Sequence, residues 1–252
     1  MKAKRLDEME SYILSKGSVT MEELREHFGI SMNTVRRDIA EIVKPGYIEK
    51  VYGGVRAMTR VPALVPYSVR SGAPDDAKRR ICMAAGRMVS DGDIIFIDSG
   101  TTTVHVMDAI RDKAVTVITN NIEVMIQALE YDNIRIIVMP GAIHRKTHSI
   151  TGEDSAAFLS HLNTDIAFMA ATGASFSGVT NSSPLEYSIK RAAVAHTRKA
   201  VLLITGGKFG VTSLLTYASL SQFHTVITDS TVAPEYREKL QELNTNLVVV
   251  DD

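Results

Sequence analysis

Apolar residues recur along this chain with two different periods. Up to about Met58 they fall at helical spacing: Leu6, Met9, Ile13 and Leu14, then Leu24 and Phe28, then Val35, Ile39 and Ile42. Each set marks one side of a short helix. From Ile94 onward they come in short unbroken runs: Ile94–Ile97, Val115–Ile118, Ile134–Val138, Ile166–Met169, Ala200–Ile204, Val226–Thr228 and Leu247–Val250. Such runs, bounded by Gly, Asn or Asp, read as strands buried on both faces. Helical stretches between them predict βαβ units and a mainly parallel sheet. Residues 59–75, with Pro62, Pro66, Gly72 and Pro74, read as a linker. The expected organisation is a helical module at 1–58 and a parallel α/β domain at 76–252.

Local signals sharpen the first module. Thr20 followed by Glu23 forms a capping-box pattern, Gly29 ends the helix it opens, and Ser31 is the N-cap of the next. In that next helix Val35, Ile39 and Ile42 make the apolar stripe, leaving Asn33, Thr34, Arg36 and Arg37 mostly on other faces. A helix, a glycine turn and a polar, basic helix make a helix-turn-helix. Tyr47–Val51 and Val55–Met58, around Gly53-Gly54, form a hairpin wing with Tyr52 beside its tip. A helix in the major groove needs short polar side chains near its N-terminus, and arginines that read guanine edges or hold phosphates. The bland alternative makes Arg36 and Arg37 solvated charges, one of them paired with Asp38 or Glu41. The tri-helical frame and wing favour DNA, so Ser31, Asn33, Thr34, Arg36, Arg37, Tyr52, Gly53 and Gly54 are the expected DNA-binding residues.

In the second module one strand runs into Asp98-Ser99-Gly100-Thr101-Thr102-Thr103, a turn that opens a helix. Backbone N–H groups there, flanked by three hydroxyls, suit a phosphate or carboxylate; a simple cap by Ser99 or Thr101 is the weaker reading. Further strand ends bring Thr119-Asn120-Asn121 and Pro140-Gly141-Ala142 to the same side of a parallel sheet, where ligands bind. Gly173 follows, then Glu186 and Lys190 four apart on a helix. That pair is either part of the site or a surface pair worth about 0.3–0.5 kcal/mol. Lys208, in Gly206-Gly207-Lys208-Phe209-Gly210, is expected to reach an anionic group. This is no P-loop, because Leu202 and Phe209 stand where Gly and Ser/Thr are required. His144 and His148 are four apart, but Arg145 and Lys146 between them disfavour a cation, and a polar loop is expected instead of a metal site.

Composition narrows the class. Of 252 residues 45% are hydrophobic and 23% charged, as in a globular protein with a sizeable core. No apolar run approaches the ~20 residues of a membrane span, so no membrane partner is expected. Residues 1–60 hold eleven basic and nine acidic side chains and the remainder 17 and 20, an asymmetry too slight to indicate nucleic acid alone. The lone Cys82 excludes an intrachain disulfide and a multi-cysteine zinc site, and with an N-terminus that turns acidic it suggests a cytoplasmic protein.

These motifs resemble the DeoR family of bacterial transcriptional regulators. The resemblance runs through Val19–Leu24, Ile30–Ile39 and Val51–Val55, then Asp98–Thr102, Thr119–Asn121, Gly173, Glu186 with Lys190-Arg191, and Lys208–Gly210. It implies a winged helix-turn-helix followed by a sensor domain related in fold to ribose-5-phosphate isomerase, which binds phosphorylated sugars or related metabolites. It implies effector contacts at Asp98, Gly100, Thr101, Thr102, Thr103, Thr119, Asn120, Asn121, Gly141, Gly173, Glu186, Lys190 and Lys208. Departures are Lys44-Pro45-Gly46 where the family continues its helix, Gly141-Ala142 for Gly-Gly, and Thr205-Gly206-Gly207-Lys208 for Asp-x-Ser-Lys. The isomerases' Asp-Gly-Ala-Asp turn matches Thr172-Gly173-Ala174-Ser175, which lacks both carboxylates, so sensing is expected over turnover. The expected protein is a repressor of a carbohydrate operon, without cofactor, acting as a homo-oligomer (dimer or tetramer) on double-stranded operator DNA. The alternative is an isomerase-like phosphosugar enzyme with an appended helix-turn-helix.

Overall fold

The computed structural model describes residues 2–43, 48–57, 64–71 and 76–251, and the chain divides into two compact units, Met1–Gly72 and Ala73–Asp252. In the first, α1 (Lys2–Lys16), β1 (Ser18–Thr20), α2 (Met21–Phe28) and α3 (Met32–Ile42) precede a hairpin of β2 (Ile48–Val51) and β3 (Gly54–Ala57). The Thr20 hydroxyl accepts from the Glu23 N–H at 3.1 Å while the Glu23 carboxylate accepts from the Thr20 N–H at 2.7 Å. Together they satisfy donors that the first helical turn leaves free. Gly29, at φ 61°, closes α2 in the left-handed region. Met9, Ile13, Leu24, Val35, Ile39, Ile48 and Val55 form the core, and β1 pairs with β3 to complete a three-stranded antiparallel sheet.

Two expectations change here. Asp38 does not pair with Arg36 or Arg37; it is fully buried and accepts from Arg5 of α1 at 2.8 Å. Part of the 59–75 linker is helical, because Pro66 precedes a short helix, α4 (Tyr67–Arg70), and its carbonyl accepts from the Val69 and Arg70 N–H groups. A proline begins a helix as readily as it marks a loop. Lys44–Gly46 and the wing ends Tyr47 and Met58 lie outside the described residues.

The second unit begins with α5 (Asp76–Gly86), β4 (Ile94–Ile97), α6 (Val106–Ile110), β5 (Val115–Thr119), α7 (Ile122–Ala128) and β6 (Ile134–Val138). A hairpin of β7 (Ala142–His144) and β8 (Ser149–Thr151) follows, then α8 (Glu153–Ser160), β9 (Thr164–Met169), β10 (Gly173–Ser175), β11 (Gly178–Asn181) and α9 (Pro184–Ala195). The chain continues through β12 (Thr197–Leu203), β13 (Leu215–Ala218), β14 (Thr225–Asp229), α10 (Pro234–Glu242) and β15 (Asn246–Val250). Seven strands form one parallel sheet in the order β15-β14-β12-β9-β4-β5-β6, and each carries one of the seven apolar runs, Ile204 lying just past the end of β12.

Alternate residues of those runs enter different cores. Ile95, Ile97, Val117, Phe168 and Val201 pack on one face beside Ile81, Met107 and Val124. Phe96, Ile118, Ala167, Met169 and Leu202 pack on the other beside Leu159, Ile189 and Leu240. Burial on both faces is what makes the runs continuous. A second antiparallel sheet, β10-β11-β13, was not foreseen; its strands are too short and too rich in Gly, Ser and Thr to carry an apolar period.

Candidate functional site

The first unit presents α3 as a polar surface. Ser31 accepts the Thr34 N–H at 3.2 Å and lies 2.9 Å from the Thr34 hydroxyl, fixing the helix entrance. Asn33, Arg36 and Arg37 are exposed, Thr34 is half-buried, and among the described residues neither arginine has an ion-pair partner. Arg5 holds α3 to α1 through the buried Asp38. The β2–β3 turn exposes Tyr52 and Gly53, whereas Gly54, expected as a DNA contact, is buried: a Cβ there would lie 2.4 Å from the Val19 carbonyl oxygen, so glycine is needed for packing against β1.

In the second unit the chain builds β4, β5 and β6 in one direction, then returns to β9 on the other side of β4. Ligands bind where the order of an open parallel sheet reverses, at the carboxyl ends of the strands. Asp98 follows β4 and Ala170-Ala171 follow β9, so the predicted turn lies at that reversal. The Asp98 carboxylate accepts from the Ala170 N–H at 2.9 Å and from Lys190 of α9, whose ammonium also donates to the Ala170 carbonyl at 3.2 Å. Asp98 and Lys190 are buried, so the surface-pair alternative for Glu186 and Lys190 is excluded. Burial pushes the Asp98 carboxyl up, against the pull of Lys190, and the nearby Glu186 adds to the rise.

Glu186, also buried, accepts from Ser99 and Ser149 at 2.9 Å each and from Asn181 at 3.2 Å. Asn121 caps α7 and donates to the carbonyls of Asp98 and Gly100 at 3.4 and 3.3 Å. Thr119 donates to the Ile97 carbonyl at 2.6 Å and accepts the Asn121 N–H. Asn120 is buried, and its backbone carbonyl accepts from Ile150. Lys208, half-buried after β12, donates to the Ala171 carbonyl at 3.1 Å. Gly173 in β10 is buried, with its carbonyl accepting from Thr180 at 3.0 Å, and Gly141 follows β6 at the base of the β7–β8 hairpin.

The turn itself is tighter than its sequence suggested. It enters a 3-10 turn at Thr103–His105 before the five-residue α6. Thr101, Thr102 and Thr103 are all buried, and Thr103 points inward, donating to the Asp98 carbonyl at 2.6 Å. A Cβ on Gly100 would lie 2.5 Å from that of Ala170, so the close approach of β4 and β9 demands glycine there.

Three contributors were missed in the sequence. Asp229, at the end of β14, accepts the Gly206 N–H at 2.9 Å and bonds Thr231, and so pins the turn that carries Lys208. Burial raises its carboxyl but these hydrogen bonds outweigh it, leaving the group below its ordinary value. Tyr217 of β13 donates to the Ala170 carbonyl at 2.9 Å with its ring 5.5 Å from the Lys190 ammonium; burial, then the charge of Asp98, pushes the phenol well above its ordinary value. Ser149 belongs to a hairpin with no motif of its own. His144 and His148 sit on that hairpin and bond Thr147 and Glu123, both at 2.7 Å.

A helix-turn-helix unit and a parallel α/β unit with a charged site at its strand reversal define a ligand-responsive DNA-binding protein. The chain belongs to the DeoR family: residues 5–61 match the DeoR-like helix-turn-helix domain and residues 74–230 the DeoR C terminal sensor domain. It is 41% identical over 244 residues to the HTH-type transcriptional regulator IolR of Bacillus subtilis, covering 96% of this chain and 97% of that protein. The glycerol-3-phosphate regulon repressor of Escherichia coli is 29% identical over 86% of this chain and 87% of its own. The lactose phosphotransferase system repressor of Staphylococcus epidermidis is 29% identical over 94% and 95%. Among solved structures, ribose 5-phosphate isomerase A from Methanocaldococcus jannaschii matches with TM-score 0.39 and 19% identity over 53% of this chain and 54% of that one. The protein is a transcriptional regulator and not an enzyme; its helix-turn-helix binds DNA and its sensor domain a small-molecule effector. No helix among the described residues is long and apolar enough to cross a membrane.

Proposed function

We propose that this regulator represses a carbohydrate-utilisation operon under the control of a phosphorylated sugar or related anionic metabolite. The observation that carries the reading is the convergence of the Asp98–Thr103 turn, Asn120, Glu186, Lys190 and Lys208 on the strand reversal of the parallel sheet. The printed names of two relatives, a glycerol-3-phosphate regulon repressor and a lactose phosphotransferase system repressor, support a phosphorylated carbohydrate. Lys208, Thr101 and Thr102 hold the anion, while Gly100, Gly141 and Gly173 let the chain around the site pack closely on Ala170, Thr151 and Val211. Asp98, Thr103, Thr119 and Asn121 shape the site from beneath, and Lys190 supplies positive charge from the same layer. Ser31, Asn33, Thr34, Arg36, Arg37 and the wing-tip residues Tyr52 and Gly53 engage the operator.

A single such module contacts few phosphates, so the protein acts as a homodimer or tetramer on paired half-sites. The effector acts by binding the DNA-competent and DNA-incompetent states with different affinity. The test is fluorescence anisotropy on DNA from upstream of its own gene, at several salt concentrations, with and without a pool of sugar phosphates. Tight, steeply salt-dependent binding that the pool alters is expected. Tight binding indifferent to the pool counts against the effector; binding no better than to random DNA counts against this operator.

A further inference from the structure

The β7–β8 hairpin is tied to the candidate site by polar contacts. The Ile150 N–H donates to the Asn120 carbonyl at 2.8 Å and the Ile122 N–H to the His148 carbonyl at 3.0 Å. Its exposed Ile143 does not anchor it. A single line of hydrogen bonds runs from His144 Nδ1 to Thr147 Oγ1 (2.7 Å), to Ser149 Oγ (2.7 Å) and to Glu186 Oε1 (2.9 Å). The carboxylate accepts, so Ser149 donates to it, Thr147 donates to Ser149, and His144 carries its proton on Nδ1.

The base of the hairpin is glycine on both sides. Gly141 has φ 141°, and a Cβ there would lie 2.5 Å from the Thr151 carbonyl oxygen; one on Gly152 would lie 3.2 Å from the Gly141 Cα. Glycines can take up a backbone rotation that other residues resist. In the same site Asp98 Oδ1 and Asn120 Oδ1 are buried acceptors without a hydrogen-bond partner. Such groups are satisfied by donors: a hydroxyl-bearing ligand supplies them and a bare anion does not.

We propose that the β7–β8 hairpin is a hinged cover over the effector site, its Ser149 hydroxyl standing on Glu186 where a hydroxyl of the effector binds. On the effector reading above, it is then a hydroxyl of the ligand, and not its anionic charge, that displaces Ser149 and moves the cover. The inference rests on the effector reading of this site, but its first test needs no ligand. In hydrogen–deuterium exchange on the full-length protein, Ser149→Ala is expected to speed exchange at Ile150 and Ile122 by about fivefold or more, leaving α5 unchanged. Ser149→Thr, which keeps the donor, is expected to restore slow exchange. Exchange in Ser149→Ala within about twofold of the parent overturns the latch.

The second test adds glycerol 3-phosphate, ribose 5-phosphate, fructose 6-phosphate or inorganic sulfate, which carries no hydroxyl at neutral pH, at equal concentration and ionic strength. A change in hairpin exchange with at least one of the three hydroxyl-bearing phosphates, and none with sulfate, is the expected result. An equal response to sulfate overturns the exchange of hydroxyls on Glu186, because charge alone then moves the cover. No response to any probe, with the latch intact, also overturns it. If operator affinity is indifferent to the same probes, the effector reading itself falls.

Discussion

Lys190 and Glu186 show how little a side chain's type says about its role until its surroundings are known. Four apart on a helix, they have the spacing of an ordinary surface pair, yet each turns to a different partner in the buried layer below the site. Removing one member of a buried ion pair strands the other's charge. Asp98→Ala is therefore expected to destabilise the sensor domain by about 3–5 kcal/mol in urea unfolding, whereas Lys208→Ala, at a half-buried position, costs about 1 kcal/mol or less. Asp229 makes a pH prediction. Its carboxyl is lower in the folded protein than in the unfolded chain, so its contribution is present above the unfolded value of about 3.9 and lost as pH falls through the folded one. Asp229→Asn is expected to be less stable than the parent at pH 7, with the gap narrowing below about pH 4. Urea denaturation across that range measures it.

At the scale of elements most of the protein was legible. The helical stripes, the capping box at Thr20, the cap at Ser31 and the seven apolar strands follow local rules, and local rules can be read from local sequence. The elements that escaped are those whose stability is not local. The β10–β11 hairpin becomes a sheet only by pairing with the distant strand β13, and α4 begins at a proline that equally fits a linker. The exposed face of α3 carries its own prediction. Arg36→Ala with Arg37→Ala is expected to leave unfolding within about 0.5 kcal/mol of the parent, because neither arginine touches the core. Operator affinity is expected to fall, with the slope of log affinity against log salt shallower by about one for each phosphate no longer neutralised. Unchanged anisotropy titrations would remove α3 from the DNA interface.

Across the whole molecule the effector and the operator are coupled only if each biases the same equilibrium. Coupling between binding sites is reciprocal. A sugar phosphate that changes operator affinity by some factor must itself bind operator-bound protein with affinity changed by that same factor. Calorimetric titration of the effector, with and without saturating operator, checks the equality; a mismatch means that the two titrations follow different assembly states.

The sequence by itself determined the helix-turn-helix, the parallel α/β class, the seven strands and the positions of the Asp98–Thr103 turn and Lys208. Periodicity, caps and glycine turns act over a few residues and leave their mark in order along the chain. Tertiary structure alone decided that Asp38 faces Arg5, that Lys190 lies beneath the site paired to Asp98, and that Asp229 holds Gly206 in the turn of Lys208. It also decided that Ser149 reaches Glu186. Those partners are 23 to 92 residues apart, brought together by the packing of α1 on α3 in the first unit and by the order in which the strands join the sheet in the second, and no local pattern encodes either.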